Sequence, residues 1–163
     1  SMIDACNKNK VKLSIGYRLH HEPVTQKIIQ IGKDKKYGNI INVEAYAGYV
    51  DNRTNHWKQT KSLGGGCMYD MGVYPLNAAR YITGEEPVAV TAQQSTTRPE
   101  GIILSPAIAE VPYEQVKQME ENAIAIIGKK PVLVPGEEGL KDIRVVEAIY
   151  RSVKEKTRIV ISK

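Results

Sequence analysis

Phenylalanine is absent from the chain and tryptophan occurs once, so its aromatic character rests on nine tyrosines. Cysteine is nearly as scarce. Cys6 and Cys67 are too few for a disulfide framework or a zinc site, and neither belongs to a C-x-x-C pair. That scarcity fits reduced thiols in an intracellular compartment, and a cytoplasmic protein is the expectation. No apolar run is long enough to cross a bilayer, so no membrane partner is expected. The charge excess is modest, +5 over 163 residues, and it is dispersed. Lys33-Asp34-Lys35-Lys36 and Gly128-Lys129-Lys130 read as solvated loops or helix ends. They do not build the dense basic stripe with interleaved aromatics that nucleic-acid binding needs.

Two phosphate-binding strings are missing as well. The P-loop pattern G-x-x-x-x-G-K-[ST] does not occur. The dinucleotide fingerprint G-x-G-x-x-G is met by Gly64 and Gly66, but Tyr69 stands where the third glycine belongs. The residues before it, HWKQTKSL, are not an apolar strand. A nucleotide site at Gly64–Gly66 survives only if the chain alone binds nucleotides.

What is present is enough for a core. A chain of this length makes about one domain and buries roughly two-thirds of its unfolded surface without metals or disulfides. Ser1-Met2 reads as a tag scar before a start codon. Residues 2–9 read as the end of a helix, and Val11, Leu13 and Ile15 alternate with polar neighbours as in a half-buried strand. Pro23 suits the first turn of a helix whose apolar face is Val24, Ile28, Ile29 and Ile31, with Gly32 to stop it. Ile41, Val43, Ala45 and Ala47 alternate as a strand, whereas 50–63 are polar and irregular.

A helix is expected from about Met68 to Ile82, kinked or started late by Pro75 and ended by Gly84. Residues 87–96 read as a strand, and 101–111 as a strand or extended loop. From Pro112 to Ile127 a helix would turn Val116, Met119, Ala123 and Ile126 inward. Residues 137–155 are strongly periodic, with Leu140, Ile143, Val146, Ile149 and Val153 inward and Glu137 and Glu138 at the favoured end of the dipole. Arg158–Ile161 closes as a short strand. The mixture lacks a regular βαβ rhythm, so the expected class is α+β: a mostly antiparallel open sheet with helices packed on one face.

The most informative stretch is SLGGGCMYDMGVYPLNAARYITGEEP, residues 62–87. Three adjacent glycines are costly to order, so they mark a place where side chains do not fit. Asp70 and Tyr74 follow at i and i+4, a spacing that shares one helix face. A carboxylate accepts hydrogen bonds from hydroxyl groups, and a phenol can pass a proton to or from an oxygen. The pair suits oxidation of a secondary alcohol, provided a nearby cation lowers the phenol from its reference pKa of about 10. On spacing alone, a helix-capping Asp and a packing Tyr are the favoured reading.

The string GGGCMYDMGVYPLNAARYITGEEP resembles the family of glucose–fructose oxidoreductase, inositol dehydrogenase and related NAD(P)-dependent oxidoreductases. IGYRLHHEPVTQKI is similar to that family's segment joining its nucleotide-binding and second domains. PGEEGLKDIRVVEAIYRSVKEKTRIVI is similar to its last helix and strand. The resemblance implies that Tyr74 is the catalytic proton-transfer residue and that Asp70 hydrogen-bonds substrate hydroxyls. It places Arg18, Trp57, Lys58, Gly65 and Gly66 beside a sugar or polyol substrate. His20, His21 and His56 receive no role.

The resemblance also implies what is not here. The family's catalytic Lys lies in a Glu-Lys-Pro motif, and no such string occurs in this sequence. Residues 1–16 then read as the last helix and strand of a Rossmann domain that is otherwise absent, and 17–163 as the C-terminal substrate and association domain. NAD or NADP would belong to the parent protein and not to this chain alone, which is expected to be inactive. Near Arg98-Pro99-Glu100-Gly101 the family usually continues through several more strands, so the sheet is expected to be short of strands there. Its open face and edges imply a homo-oligomer. A non-catalytic ligand-binding or assembly module with the same fold is the alternative.

Overall fold

Local signals at the first residues set the first helix. Ser1 Oγ accepts from the Asp4 amide while the Asp4 carboxylate reaches back to Ser1, a reciprocal cap that opens α1 (Met2–Lys8). The structure is a computed structural model and describes residues 1–49, 53, 55–94 and 114–161. They fall into two compact units, Ser1–Ile40 with Ala109–Lys141 and Ile41–Ile108 with Asp142–Lys163.

In the first unit, the strand expected over 11–15 is held by a single antiparallel bridge between Ser14 and Pro135. The Ile15 amide donates to the Val134 carbonyl at 2.9 Å. A 3-10 turn, Arg18–His21, leads to α2 (Pro23–Lys33), whose first turn is capped by the Glu22 carboxylate accepting from the Val24 and Thr25 amides. That cap and the rigid φ of Pro23 start the helix. Helix α4 (Glu114–Ile127) returns over the 3-10 turn and the bridge strand. His21 is buried, and its Nδ1 lies 2.6 Å from Glu121 Oε2.

The face of α4 differs from expectation. Val116, Met119, Ala123 and Ile126 are exposed, while Gln118, Glu121 and Asn122 are half-buried and Ala125 is buried. The reason is polar: Gln118 donates to the Ile15 carbonyl, Ser14 donates to Asn122, and Glu121 pairs with His21. Those bonds set the helix rotation against its hydrophobic pattern. On α2, likewise, Ile29 is buried whereas Val24 and Ile28 are exposed, and the helix runs one residue beyond Gly32.

The second unit carries the sheet. Strand β1 (Ala89–Val90) pairs antiparallel with β2 (Ile159–Val160), Ala89 opposite Val160 and Val90 opposite Ile159. With the helices this is an α+β fold having a small open antiparallel sheet, as the sequence indicates. Residues 41–47 are not a strand: alternation alone is insufficient without a ladder partner, and none occurs among the described residues. The expectations for 101–111 and for Arg98–Gly101 lie outside the described residues.

Helix α5 (Gly136–Glu155) begins in the first unit and belongs to the second from Asp142 onward. Val145, Val146, Ala148 and Ser152 are buried along it, whereas Leu140 is exposed. Burying a valine contributes about 1.5–3 kcal/mol, so this stripe anchors the second unit. Asp142 is fully buried and pairs with Arg80 Nη1 at 2.5 Å, while Asn77 donates to its other oxygen at 2.9 Å. The Arg80 guanidinium also grips both oxygens of Glu86, each at 2.7 Å. Burying a charge requires such pairing, and here the pairing ties α3 (Val73–Thr83) to α5.

Candidate functional site

The site is built on a sequence of tight turns in the second unit. Trp57–Gln59 and Lys61–Leu63 form 3-10 turns, the three glycines follow, and Met68–Gly72 is a π turn leading directly into α3. Pro75 accounts for the junction. It cannot donate to the carbonyl four residues back and its ring collides there, so a regular α-helix cannot run through 71–75. The wider π turn absorbs the misfit, which is where the sequence places the kink. Gly84, with φ of 71°, ends α3 as expected.

Each glycine has its own physical cause. Gly64 has φ of 81° over open space. At Gly65 a Cβ would run into the backbone carbonyls of Trp57 and Lys58. At Gly66, where φ is 142°, it would run into the Tyr150 hydroxyl. The glycine amides are committed as well: Gly64 donates to the Lys61 carbonyl, Gly65 to Thr60 and Gly66 to Lys58. A phosphate cradle needs such amides directed at the ligand. This turn does not fit a nucleotide phosphate.

The folded turn brings Asp70 to Lys58. Lys58 Nζ donates to Asp70 Oδ1 at 2.5 Å, and the Tyr49 hydroxyl donates to Oδ2 at 2.6 Å. Arg53 Nη2 donates to the Tyr49 oxygen at 3.3 Å, and its Nη1 lies 3.1 Å from His56 Nε2. His56 opens the 3-10 turn at Trp57, with Nδ1 3.3 Å from the Lys58 amide. The Lys58 ammonium also lies 5.8 Å from the Trp57 ring centre and 5.9 Å from that of Tyr49, within cation–π range.

The electrostatics follow from these contacts. Burial pushes the Asp70 carboxyl up, but hydrogen bonds from Lys58 and Tyr49, with the Lys58 and Arg53 charges, outweigh it and hold the carboxyl below its ordinary range. The hydrogen bond to Asp70 raises Lys58. The pair is therefore ionised through the neutral range. Chemically, the cluster offers a fixed carboxylate, an ammonium and two partly exposed aromatic rings, Trp57 at 52% and Tyr49 at 47%.

Of the residues singled out from sequence, Trp57, Lys58, Gly65, Gly66 and Asp70 come together here. Tyr74 is half-buried in the first turn of α3, and Asp70 is engaged by Lys58 and Tyr49 rather than by Tyr74. Arg18 belongs to the first unit, where it opens the 3-10 turn. Tyr49, Arg53 and Tyr150 were missed. Tyr150 continues the apolar register of α5 from Val146 and could have been found as a residue facing inward; no spacing signal marks Tyr49 or Arg53. An open groove of about 850 Å³ in the first unit is lined by Ile3, Val11, Leu13, Ile126 and Val132, with no hydroxyl side chain in its lining. Among the described residues there is no cluster of metal-ligating side chains, and no helix is long and apolar enough to cross a membrane.

Two family models match the chain. One, described as the GFO/IDH/MocA C-terminal domain, matches residues 25–129. The other, described as the oxidoreductase family C-terminal alpha/beta domain, matches residues 105–161. The chain is 29% identical over 119 residues to D-xylose 1-dehydrogenase (NADP(+)) of Haloarcula marismortui, the match covering 69% of this chain and 31% of that protein. It is 26% identical over 91 residues to the uncharacterized oxidoreductase ORF334 of Rhizobium meliloti, covering 56% of this chain and 27% of that protein. A solved structure, aldose–aldose oxidoreductase from Caulobacter crescentus complexed with glycerol, superposes with a TM-score of 0.77 at 26% identity. That superposition covers 98% of this chain and 67% of the other. The chain thus spans less than a third of the length of these two curated relatives.

Proposed function

The chain belongs to the GFO/IDH/MocA oxidoreductase family, of which it carries the C-terminal domain, and from that premise we propose that it is the substrate-binding and association domain of an NAD(P)-dependent oxidoreductase acting on a sugar or polyol. The observation that carries this reading is the Lys58–Asp70–Tyr49 cluster beside the exposed Trp57 ring. Sugars present hydroxyl groups on their edges and C–H groups on their faces. A fixed carboxylate accepts from the first, and an aromatic ring packs on the second. The names of two relatives, a D-xylose dehydrogenase and an aldose–aldose oxidoreductase, support the same substrate class.

In this reading Asp70 accepts hydrogen bonds from vicinal hydroxyls, Lys58 donates to a neighbouring oxygen, and Trp57 stacks on the sugar face. Tyr74 moves the proton of the reacting hydroxyl. Gly65 and Gly66 let the turns close so that Lys58 meets Asp70. Hydride exchange is the chemistry a nicotinamide cofactor supplies in the parent protein, and the glycine turn here offers no phosphate cradle for one. The isolated chain is accordingly inactive, and it associates through the open sheet in a cytoplasmic homo-oligomer.

The experiment is to join a nucleotide-binding domain upstream and follow aldose-dependent NAD(P)H formation. Turnover that is lost in Asp70→Asn and in Tyr74→Phe supports the reading. Turnover indifferent to both removes the cluster from the mechanism.

A further inference from the structure

We propose that Tyr49 is a positioning residue for Asp70: its hydroxyl and the Lys58 ammonium take one carboxylate oxygen each and so fix the plane in which the carboxylate meets a ligand. This rests on the reading of Asp70 as a substrate contact. The geometry is specific. Lys58 holds Oδ1 at 2.5 Å and Tyr49 holds Oδ2 at 2.6 Å. One contact would leave the carboxylate free to swing about its terminal torsion, which is broad for Asp; contacts on both oxygens remove that freedom. An ionised carboxylate has about four acceptor sites, so two taken by the protein leave about two for ligand hydroxyls.

Tyr49 is itself held in place. Arg53 donates to its oxygen at 3.3 Å and reaches His56 at 3.1 Å, and His56 sits 3.3 Å from the Lys58 amide. Polar contacts therefore run from Asp70 through Tyr49 and Arg53 to His56, which also lies beside the Lys58 amide. A neutral imidazole accepts at one nitrogen only, so His56 serves either Arg53 or the Lys58 amide. The Arg53–Tyr49–Asp70 side stands with either choice. The Tyr49 residue is 47% exposed, so its contribution is the hydroxyl more than core packing. Its ring lies 5.9 Å from Lys58 Nζ, and Tyr49→Phe keeps that contact while deleting only the hydrogen bond.

The test uses the full chain, isotopically labelled, as wild type, Tyr49→Phe and Asp70→Asn. Nuclear magnetic resonance follows the Asp70 carboxyl carbon through an acid titration and the backbone amides through addition of D-xylose as the probe. Tyr49→Phe is expected to remain cooperatively folded, to titrate Asp70 at a higher pH, and to bind D-xylose about tenfold more weakly, the effect of one hydrogen bond to a charged group. An Asp70 titration unmoved by Tyr49→Phe overturns the proposal. So does unchanged D-xylose affinity in Tyr49→Phe when Asp70→Asn abolishes binding. If D-xylose moves no site amide in wild type while the Asp70 titration still shifts in Tyr49→Phe, the Tyr49 contact is supported and the substrate reading of Asp70 fails.

Discussion

Lys58 Nζ lies 2.5 Å from Asp70 Oδ1, across a chain reversal made by three consecutive glycines. The pair is only partly screened from solvent, with side-chain exposures of 29% and 20%. Its value to stability is therefore small, and in the proposed reading its role is to orient a ligand. Lys58→Met should leave the melting temperature nearly unchanged and abolish any sugar-induced shift of the Asp70 amide. Thermal denaturation and amide titration on the same variant separate the two effects.

The acid side of the stability profile carries Asp70's signature. Its folded carboxyl lies below the ordinary value, so it contributes stability that is present above the unfolded pKa and lost as pH falls through the folded one. The window is the acid range at and below ordinary carboxylate values. Asp4 and Glu22 are shifted in the same direction and contribute with the same sign. The informative comparison is therefore wild type against Asp70→Asn. Urea denaturation over a pH series should show a shallower acid decline in the variant.

Gly66 and Tyr150 should behave as a coupled pair. Gly66→Ala forces a Cβ onto the Tyr150 hydroxyl at φ of 142°, and should cost about 1–3 kcal/mol. In a Tyr150→Phe background the colliding oxygen is gone and only the backbone strain remains. The double variant should then be less destabilised than the sum of the singles. Gly64→Ala, at φ of 81° over open space, should cost about 1 kcal/mol. Chemical denaturation of the four variants checks the order.

The buried Arg80–Asp142 pair makes a larger claim on stability. Removing Arg80 leaves the fully buried Asp142 carboxylate without its counter-ion, and Arg80→Met should cost about 3–5 kcal/mol. Replacing both by apolar residues of similar size should recover most of that loss. Urea midpoints of the single and double variants provide the test.

How much of this the sequence discloses depends on whether local chemistry or distant contacts decide. Helix α5 was legible because its apolar register repeats over many turns, and Gly84 because a left-handed cap strongly favours glycine. The break before Pro75 was legible because proline acts on its own neighbours. The rotation of α4 was not. It is set by Gln118, Glu121 and Asn122 bonding to Ile15, His21 and Ser14 about a hundred residues away, against the hydrophobic pattern. Family resemblance singles out Asp70 and Lys58, and the fold brings the two side chains together. Tyr49 was not legible, because it lies 21 residues from Asp70 with no periodic or motif signal between them. The sequence reads the glycines as clearance for a ligand; in the fold it is the Trp57–Lys58 backbone that requires Gly65 and Tyr150 that requires Gly66.

The most direct test of the central claim is a parallel amide titration of the full chain with D-xylose and with NADPH. Sugar-induced shifts should be confined to residues around Trp57–Tyr74 and lost in Asp70→Asn, with no saturable response to NADPH. Saturable NADPH binding at the glycine turn, with no response to sugar, would contradict it.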